Sequence, residues 1–296
     1  MTWIDHWKKY IKPLEKVFEH TDILSGNKLY STQEHKLFSF YFAYEDETYC
    51  EEQLIRLINR SITDFALTPD EQIKMDHTDA WDRMKQYEEV VRKKGATYIT
   101  GWMYGEALLY ALLTIFFPDV AKMSTKIKVR TAIGAEVHWF DCAHYQVKED
   151  WSIALWLWEA KFYADYKDAI KQAVISIKQH IEAVKLKEEF IILRGHLEWP
   201  DKDVLENEIV NKVIDDLHIV VPVLITYDST IMGKYKTDDS VFLAEIEKEF
   251  TLVWNEYIWK KIEPWLKKID IYLMALPFLD IQDIKAKLIA VKDANL

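Results

Sequence analysis

The sequence predicts an α/β (α+β) fold built around one mixed central sheet. Half of the 296 residues are hydrophobic and 14% are aromatic, with only seven glycines and seven prolines, a composition that favours long regular elements packed by bulky side chains. From residue 101 onward, segments with helical and strand periodicity follow one another in the order α-β-β-β-α-β. We therefore expect a single compact fold in which helices cover a sheet.

The first part of the chain, residues 1–95, is predicted to be mainly helical, with one strand over residues 37–44. Thr48 followed by Glu51 marks one helix start, and Thr68-Pro69 marks a second helix that should end at Gly95. No linker-like composition separates this part from the remainder. The division at residue 95 is therefore a change of role within one fold.

The second part, residues 96–296, carries the predicted core and a C-terminal α/β extension. The predicted core elements are a helix at 101–117, strands at 123–130, 136–146 and 153–163, a helix at about 165–186 and a strand at 190–193. The predicted extension consists of a strand at 218–227, a helix from 241 toward 266, a strand at 269–276 and a last helix.

The charge and cysteine counts restrict the function classes. A net charge of −11 argues against a free-standing nucleic-acid binder, although residues 120–190 are nearly balanced, with 11 basic and 10 acidic side chains. Two cysteines are too few for a disulfide framework, which favours the cytoplasm. The most apolar stretch, residues 101–117, is short for a membrane span and contains Glu106, so we expect a buried helix and no membrane association.

Candidate chemistry begins with the tripeptide Glu159-Ala160-Lys161. Four (D/E)-x-K tripeptides occur, about as many as chance predicts for this composition, but this copy interrupts an otherwise apolar strand. Residues two apart on a strand share a face. A carboxylate and an ammonium in such a place are costly unless they are paired, bound to a metal or at an open edge. A structural ion pair is therefore the alternative to a functional site.

Two further carboxylates are candidates for the same site. If residues 147–152 form a hairpin turn centred near residue 150, Asp141 lies opposite residue 158 or 159 and within reach of Glu159, whereas a slip of one residue would turn Asp141 to the other face. Glu106 lies on the apolar stripe of its helix and needs a partner, unless its head group reaches solvent near the helix start.

Carboxylates that converge in this way can bind Mg²⁺, and a lysine beside them can orient the attacking water or hold a phosphate. This chemistry is that of phosphodiester hydrolysis. A competing zinc site would use His138, Cys142 and His144, which strict alternation places on one strand face. Buried, hydrogen-bonded histidines are the simpler interpretation of those residues.

The chain resembles a known family in three segments. These are Tyr-Gly-Glu-Ala-Leu-Leu-Tyr at 104–110, Glu-Val-His-Trp-Phe-Asp-Cys-Ala-His at 136–144 and Trp-Glu-Ala-Lys-Phe-Tyr at 158–163. They are similar to the HamA family, nuclease subunits of the bacterial Hachiman antiphage system within the PD-(D/E)xK superfamily. The resemblance implies a restriction-endonuclease-like αβββαβ core.

The resemblance also implies a defence nuclease that acts on DNA beside a HamB-like helicase. Glu106, Asp141 and Glu159 match the positions that hold Mg²⁺, for which Mn²⁺ can substitute, and Lys161 completes the catalytic set. Asp141 follows Phe140 and not the proline of the superfamily's name. The helices of residues 1–95 are the expected docking surface for the helicase. The alternative is a non-catalytic acidic or DNA-mimicking subunit that regulates a helicase.

Overall fold

The computed structural model describes residues 3–26, 29–66, 101–125, 142–149, 152–180, 218–260 and 269–294. The strands are β1 (Ile11–Pro13), β2 (Phe18–Gly26), β3 (Leu29–Phe42), β4 (Tyr44–Glu45), β5 (Thr48–Tyr49), β6 (Val120–Thr125), β7 (Cys142–Val147), β8 (Ile153–Phe162), β9 (His218–Asp228) and β10 (Ile269–Phe278). The helices are α1 (Trp3–Lys8), α2 (Glu51–Ala66), α3 (Gly101–Phe116), α4 (Tyr166–His180), α5 (Thr230–Lys234), α6 (Ser240–Lys260) and α7 (Ile281–Ala294).

Eight of these strands form one mixed sheet in the order β1-β3-β10-β9-β8-β7-β6, with β2 also paired to β3. The neighbouring strands β3, β10, β9 and β8 run parallel, and the outer strands β1, β2, β7 and β6 are antiparallel to their neighbours. Parallel strands are usually covered on both faces and read as continuous apolar runs. This holds for β9, which is buried from Ile219 to Tyr227. The predicted α/β class with a mixed sheet is confirmed.

Two hydrophobic cores lie on the two faces of the sheet. Helices α4 and α6 pack on one face and form the α4–α6 core, whereas α2, α3 and α7 pack on the other and form the α2–α3–α7 core. Along β8, Leu155 and Leu157 point into the α4–α6 core, and Trp156 and Trp158 point into the other. Odd-numbered residues of β8 therefore share the α4–α6 face.

The order α-β-β-β-α predicted from residue 101 is present as α3-β6-β7-β8-α4. The sixth predicted element, the strand at 190–193, lies outside the described residues. Strands β9 and β10 occupy the middle of the sheet, between β8 and β3, so the segment predicted as a C-terminal extension is an integral part of the sheet. None of the described helices is both long and apolar enough to cross a bilayer.

In the described residues of the N-terminal part, 3–26 and 29–66, strands predominate over helices, whereas the sequence predicts one strand there. The predicted strand at 37–44 is the end of the 14-residue β3, and β2 pairs with β3 over nine positions. Gln33 and His35 occupy fully buried positions of β3, and these polar residues hide its apolar alternation. The helix predicted after Thr48 is present as α2, whereas the one predicted from Thr68 to Gly95 lies outside the described residues.

Candidate active site

Glu159 and Lys161 form an ion pair on the α4–α6 face of β8, where Lys161 Nζ donates to Glu159 Oε1. Their side chains are only 6% and 16% exposed. Their neighbours across the ladder on β9 are Val223 and Ile225, so the pair lies among apolar side chains. Removing two charges from water is expensive, and the direct pairing offsets part of that cost. The period of two on β8 predicts this arrangement correctly.

A second Glu-x-Lys copy shows how unusual this burial is. Glu34 and Lys36 on β3 have the same spacing and form an ion pair of 2.9 Å, but their side chains are 43% and 25% exposed. The hydrogen bond to Glu34 raises the pKa of Lys36, as expected for a partly solvated pair. The Glu159–Lys161 pair therefore differs from its counterpart in burial and not in spacing.

The hairpin register that brings Asp141 toward Glu159 is the one observed in the described residues. Strand β7 pairs antiparallel with β8 from Val147↔Ile153 to Cys142↔Trp158, so the hairpin is centred on residue 150 as predicted. The described ladder keeps this register without a bulge. Asp141 itself lies outside the described residues.

Glu106 lies in the first half of α3 and is 2% exposed. The preceding residue, Gly105, lies against Ala160 and Phe162 of β8. One turn further on, the ring of Tyr110 stacks on Trp158 with a centroid separation of 6.4 Å. Glu106 is therefore level with the Glu159–Lys161 segment of β8. However, α3 belongs to the α2–α3–α7 core, so Glu106 comes from the opposite face of the sheet.

The close approach of α3 to β8 depends on the absence of a side chain at Gly105. A Cβ added there would lie 3.1 Å from Phe162 Cβ and 3.5 Å from Ala160 Cβ. We expect Gly105→Val to destabilise the fold by about 1–3 kcal/mol, because the extra methyl groups overpack this contact. Urea unfolding measures the change.

Gly233→Val is the control for this substitution. Gly233 is exposed, and a Cβ there would meet only the end of the flexible Leu279 side chain. We expect the control to change stability by less than about 0.5 kcal/mol. Equal effects of the two substitutions would show that the α3–β8 contact is not tightly packed.

The alternative zinc site has one described side chain, His144. This residue is 2% exposed, and its ring lies 4.8 Å from that of Trp158 in an edge-on arrangement. Such packing is typical of a core histidine. His138 lies outside the described residues, as does the side chain of Cys142. In the part of the chain that the structure describes, no three His, Cys, Asp or Glu side chains are placed to hold a metal ion.

Two side chains that the sequence analysis did not single out contact the main chain directly after Lys161. The hydroxyl of Thr226 on β9 accepts a hydrogen bond from Tyr163 N at 3.2 Å, and Lys285 on α7 donates to Phe162 O at 3.0 Å. Thr226 was visible as the one aliphatic hydroxyl within the apolar run of β9. Lys285 belongs to another (D/E)-x-K copy in helical surroundings, which gave no sign of a contact with β8.

The fold and the site define an α/β protein whose central sheet carries a buried Glu-x-Lys pair next to an antiparallel hairpin. A family model for HamA matches residues 14–291, and the chain belongs to the HamA family, which is part of the Hachiman antiphage defence system. This confirms the resemblance, and the match covers both parts of the chain. The chain has no significant match among curated proteins.

Proposed function

We propose that this chain is a metal-dependent deoxyribonuclease that hydrolyses DNA phosphodiester bonds, with little sequence specificity, as the effector of a Hachiman defence complex. The observation that carries the proposal is the buried Glu159–Lys161 pair. A carboxylate and an ammonium held together in an apolar place are often functional, because a binding or catalytic role can justify the cost of burying them. Membership of an antiphage family supports a target in foreign DNA.

Glu159 is the proposed first ligand of Mg²⁺ or Mn²⁺, since carboxylate oxygens are the ligands that these ions prefer. If the β7–β8 register continues by one pair beyond Cys142, Asp141 lies opposite Glu159 and supplies the second carboxylate. The bound ion supplies neutralisation of phosphate charge and a more acidic water. Lys161, in contact with Glu159, is proposed to orient the attacking water or to hold the phosphate.

Glu106 is the proposed third ligand, and its position makes its contribution less direct. It is level with the pair along β8 but belongs to a helix that packs on the opposite face of the sheet. We therefore propose that Glu106 tunes metal affinity more than it determines the chemistry.

A HamB-like helicase in the cytoplasm is the proposed partner. The net charge of −11 opposes capture of DNA by the chain alone, and a helicase that grips DNA would supply what this surface lacks. The same charge supports the second candidate function, a non-catalytic acidic or DNA-mimicking subunit that occupies a helicase.

The test is cleavage of plasmid DNA by the purified chain, with and without the helicase, in Mg²⁺ or Mn²⁺. We expect nicking or degradation of DNA of any sequence, because the chain has no separate base-reading module such as a zinc finger. EDTA should abolish the activity, and excess Mg²⁺ should restore it. Intact plasmid in every combination of metal and partner would leave the non-catalytic subunit as the better explanation.

A further inference from the structure

The main chain of β8 directly after Glu159 and Lys161 is held by side chains from two other elements. One is Thr226 of β9, and the other is Lys285 of α7. These contacts span 63 and 123 residues of sequence. They restrain the main chain that carries the Lys161 side chain.

Thr226 pairs with Phe162 in the β8–β9 ladder, and its side chain contacts this backbone through the hydroxyl. The Oγ1 atom lies 3.3 Å from Lys161 O and 3.4 Å from Tyr163 O, and it accepts from Tyr163 N at 3.2 Å. Thr226 is fully buried in a strand whose neighbouring positions are apolar. A buried hydroxyl is costly unless it is hydrogen-bonded. The hydroxyl therefore has a specific use here, namely to bridge polar groups on both sides of Phe162.

Lys285 reaches the same place from helix α7. Its Nζ donates to Phe162 O and lies 5.3 Å from the centroid of the Phe162 ring. Burial lowers the pKa of Lys285, and the nearby Asp228 carboxylate partly opposes this effect. Asp228 also accepts a hydrogen bond from Ile281 N at the start of α7, which ties this helix to the end of β9.

We propose that Thr226 and Lys285 are positioning residues that hold the main chain of residues 161–163 and thereby aim the Lys161 ammonium at Glu159. The expected effect on kcat rests on the proposed nuclease function, but the restraint on the backbone of residues 161–163 can be tested independently. Catalytic groups must be held within about 0.5 Å of their productive geometry, and a misplacement of about 1 Å can cost roughly 10²-fold in rate. Neither residue touches the DNA or the metal in this proposal.

Thr226→Val removes the hydroxyl at nearly constant volume and is the most informative variant. We expect kcat for DNA cleavage to fall by roughly 10–100-fold with KM for DNA little changed, because the substitution alters the orientation of the Lys161 ammonium and not the binding of DNA. Lys285→Met should act in the same direction, and Thr226→Ser should restore most of kcat because it keeps the hydroxyl. A purely structural role would lower the melting temperature of Thr226→Val without lowering kcat in the folded protein.

Two control variants remove similar groups elsewhere. Thr251→Val deletes a hydroxyl that donates to Glu247 O at 2.9 Å within α6. Lys287→Met deletes a lysine on the same helix as Lys285, which pairs with Glu51 and Asp283. Both should leave kcat and KM unchanged.

A second measurement does not depend on nuclease activity. We would compare acylation of Lys161 by an amine-reactive ester, and hydrogen exchange of the Tyr163 amide, between the full-length wild type and Thr226→Val. Positioning predicts several-fold faster modification of Lys161 and faster exchange at Tyr163, with neither change in Thr251→Val. If the wild type shows no nuclease activity but these rates change, the proposed function fails and the positioning role stands. Unchanged rates in Thr226→Val, or unchanged kcat in an active enzyme, would overturn the positioning role.

Discussion

Glu159→Gln and Lys161→Met should each lower the rate of metal-dependent DNA cleavage by about 10²–10⁴-fold, the range expected for loss of one catalytic group. Gln at position 159 keeps the shape of the side chain but loses the charge that would bind a divalent cation. Met at position 161 keeps most of the length and loses the ammonium that contacts Glu159. Single-turnover cleavage of a labelled duplex measures both losses.

Stability needs a separate measurement, because each single substitution leaves one charge unpaired in a place where the two side chains are only 6% and 16% exposed. Breaking a buried ion pair from one side costs about 3–5 kcal/mol. The double variant Glu159→Gln/Lys161→Met removes both charges and should recover much of that stability. If the pair is only structural, the double variant should also recover activity. If it is catalytic, stability returns and activity does not.

The matched control for this experiment is the partly exposed Glu34–Lys36 pair on β3, which has the same spacing and a 2.9 Å contact. Glu34→Gln and Lys36→Met should leave cleavage unchanged and alter stability by less than about 1 kcal/mol, as is usual for solvated ion pairs. A similar loss of cleavage at both pairs would show that the assay reports general folding and not a site on β8.

Sequence periodicity was sufficient to predict those elements whose buried positions are occupied by apolar residues. Strand β8 and helix α3 follow the predicted bounds closely, and the hairpin centre at residue 150 follows from the turn between two apolar runs. The shared face of Glu159 and Lys161 needs only the two-residue period of a strand. These are local properties, and the sequence contains them.

Other features depend on partners that are distant in the chain. His35 is fully buried in β3 because its ring contacts Tyr257 Oη at 2.7 Å and Asp22 at 3.2 Å, and the tyrosine is 222 residues away. A buried histidine with partners so remote leaves no local pattern, so the first half of β3 could not be recognised. The contacts of Thr226 and Lys285 with β8 escaped prediction for the same reason.

The second large effect on the rate of DNA cleavage should come from the partner. We expect the complex with a HamB-like helicase to cleave DNA at least about tenfold faster than the isolated chain at physiological salt. The chain carries a net charge of −11, which repels phosphate over a Debye length of about 8 Å at 0.15 M ionic strength. Lowering the salt should increase this repulsion and so widen the difference. Tight DNA binding by the isolated chain at about 0.15 M salt would remove the electrostatic basis for this prediction.

We predict that the helicase docks on residues 1–95. The fold limits which side chains of this region are accessible to a partner. The apolar side of α2, including Leu57 and Ile58, is buried in the α2–α3–α7 core, so only its outer side is available. Arg56 lies on that side, 70% exposed and paired with Glu52, whereas Lys248 on α6 is 74% exposed and paired with Glu245. Arg56→Glu should weaken co-purification with the helicase, and Lys248→Glu should not. Hydrogen exchange on the complex should show protection before residue 95. The helicase would lie on a different face if Lys248→Glu weakened co-purification and Arg56→Glu did not, or if protection were confined to the C-terminal helix.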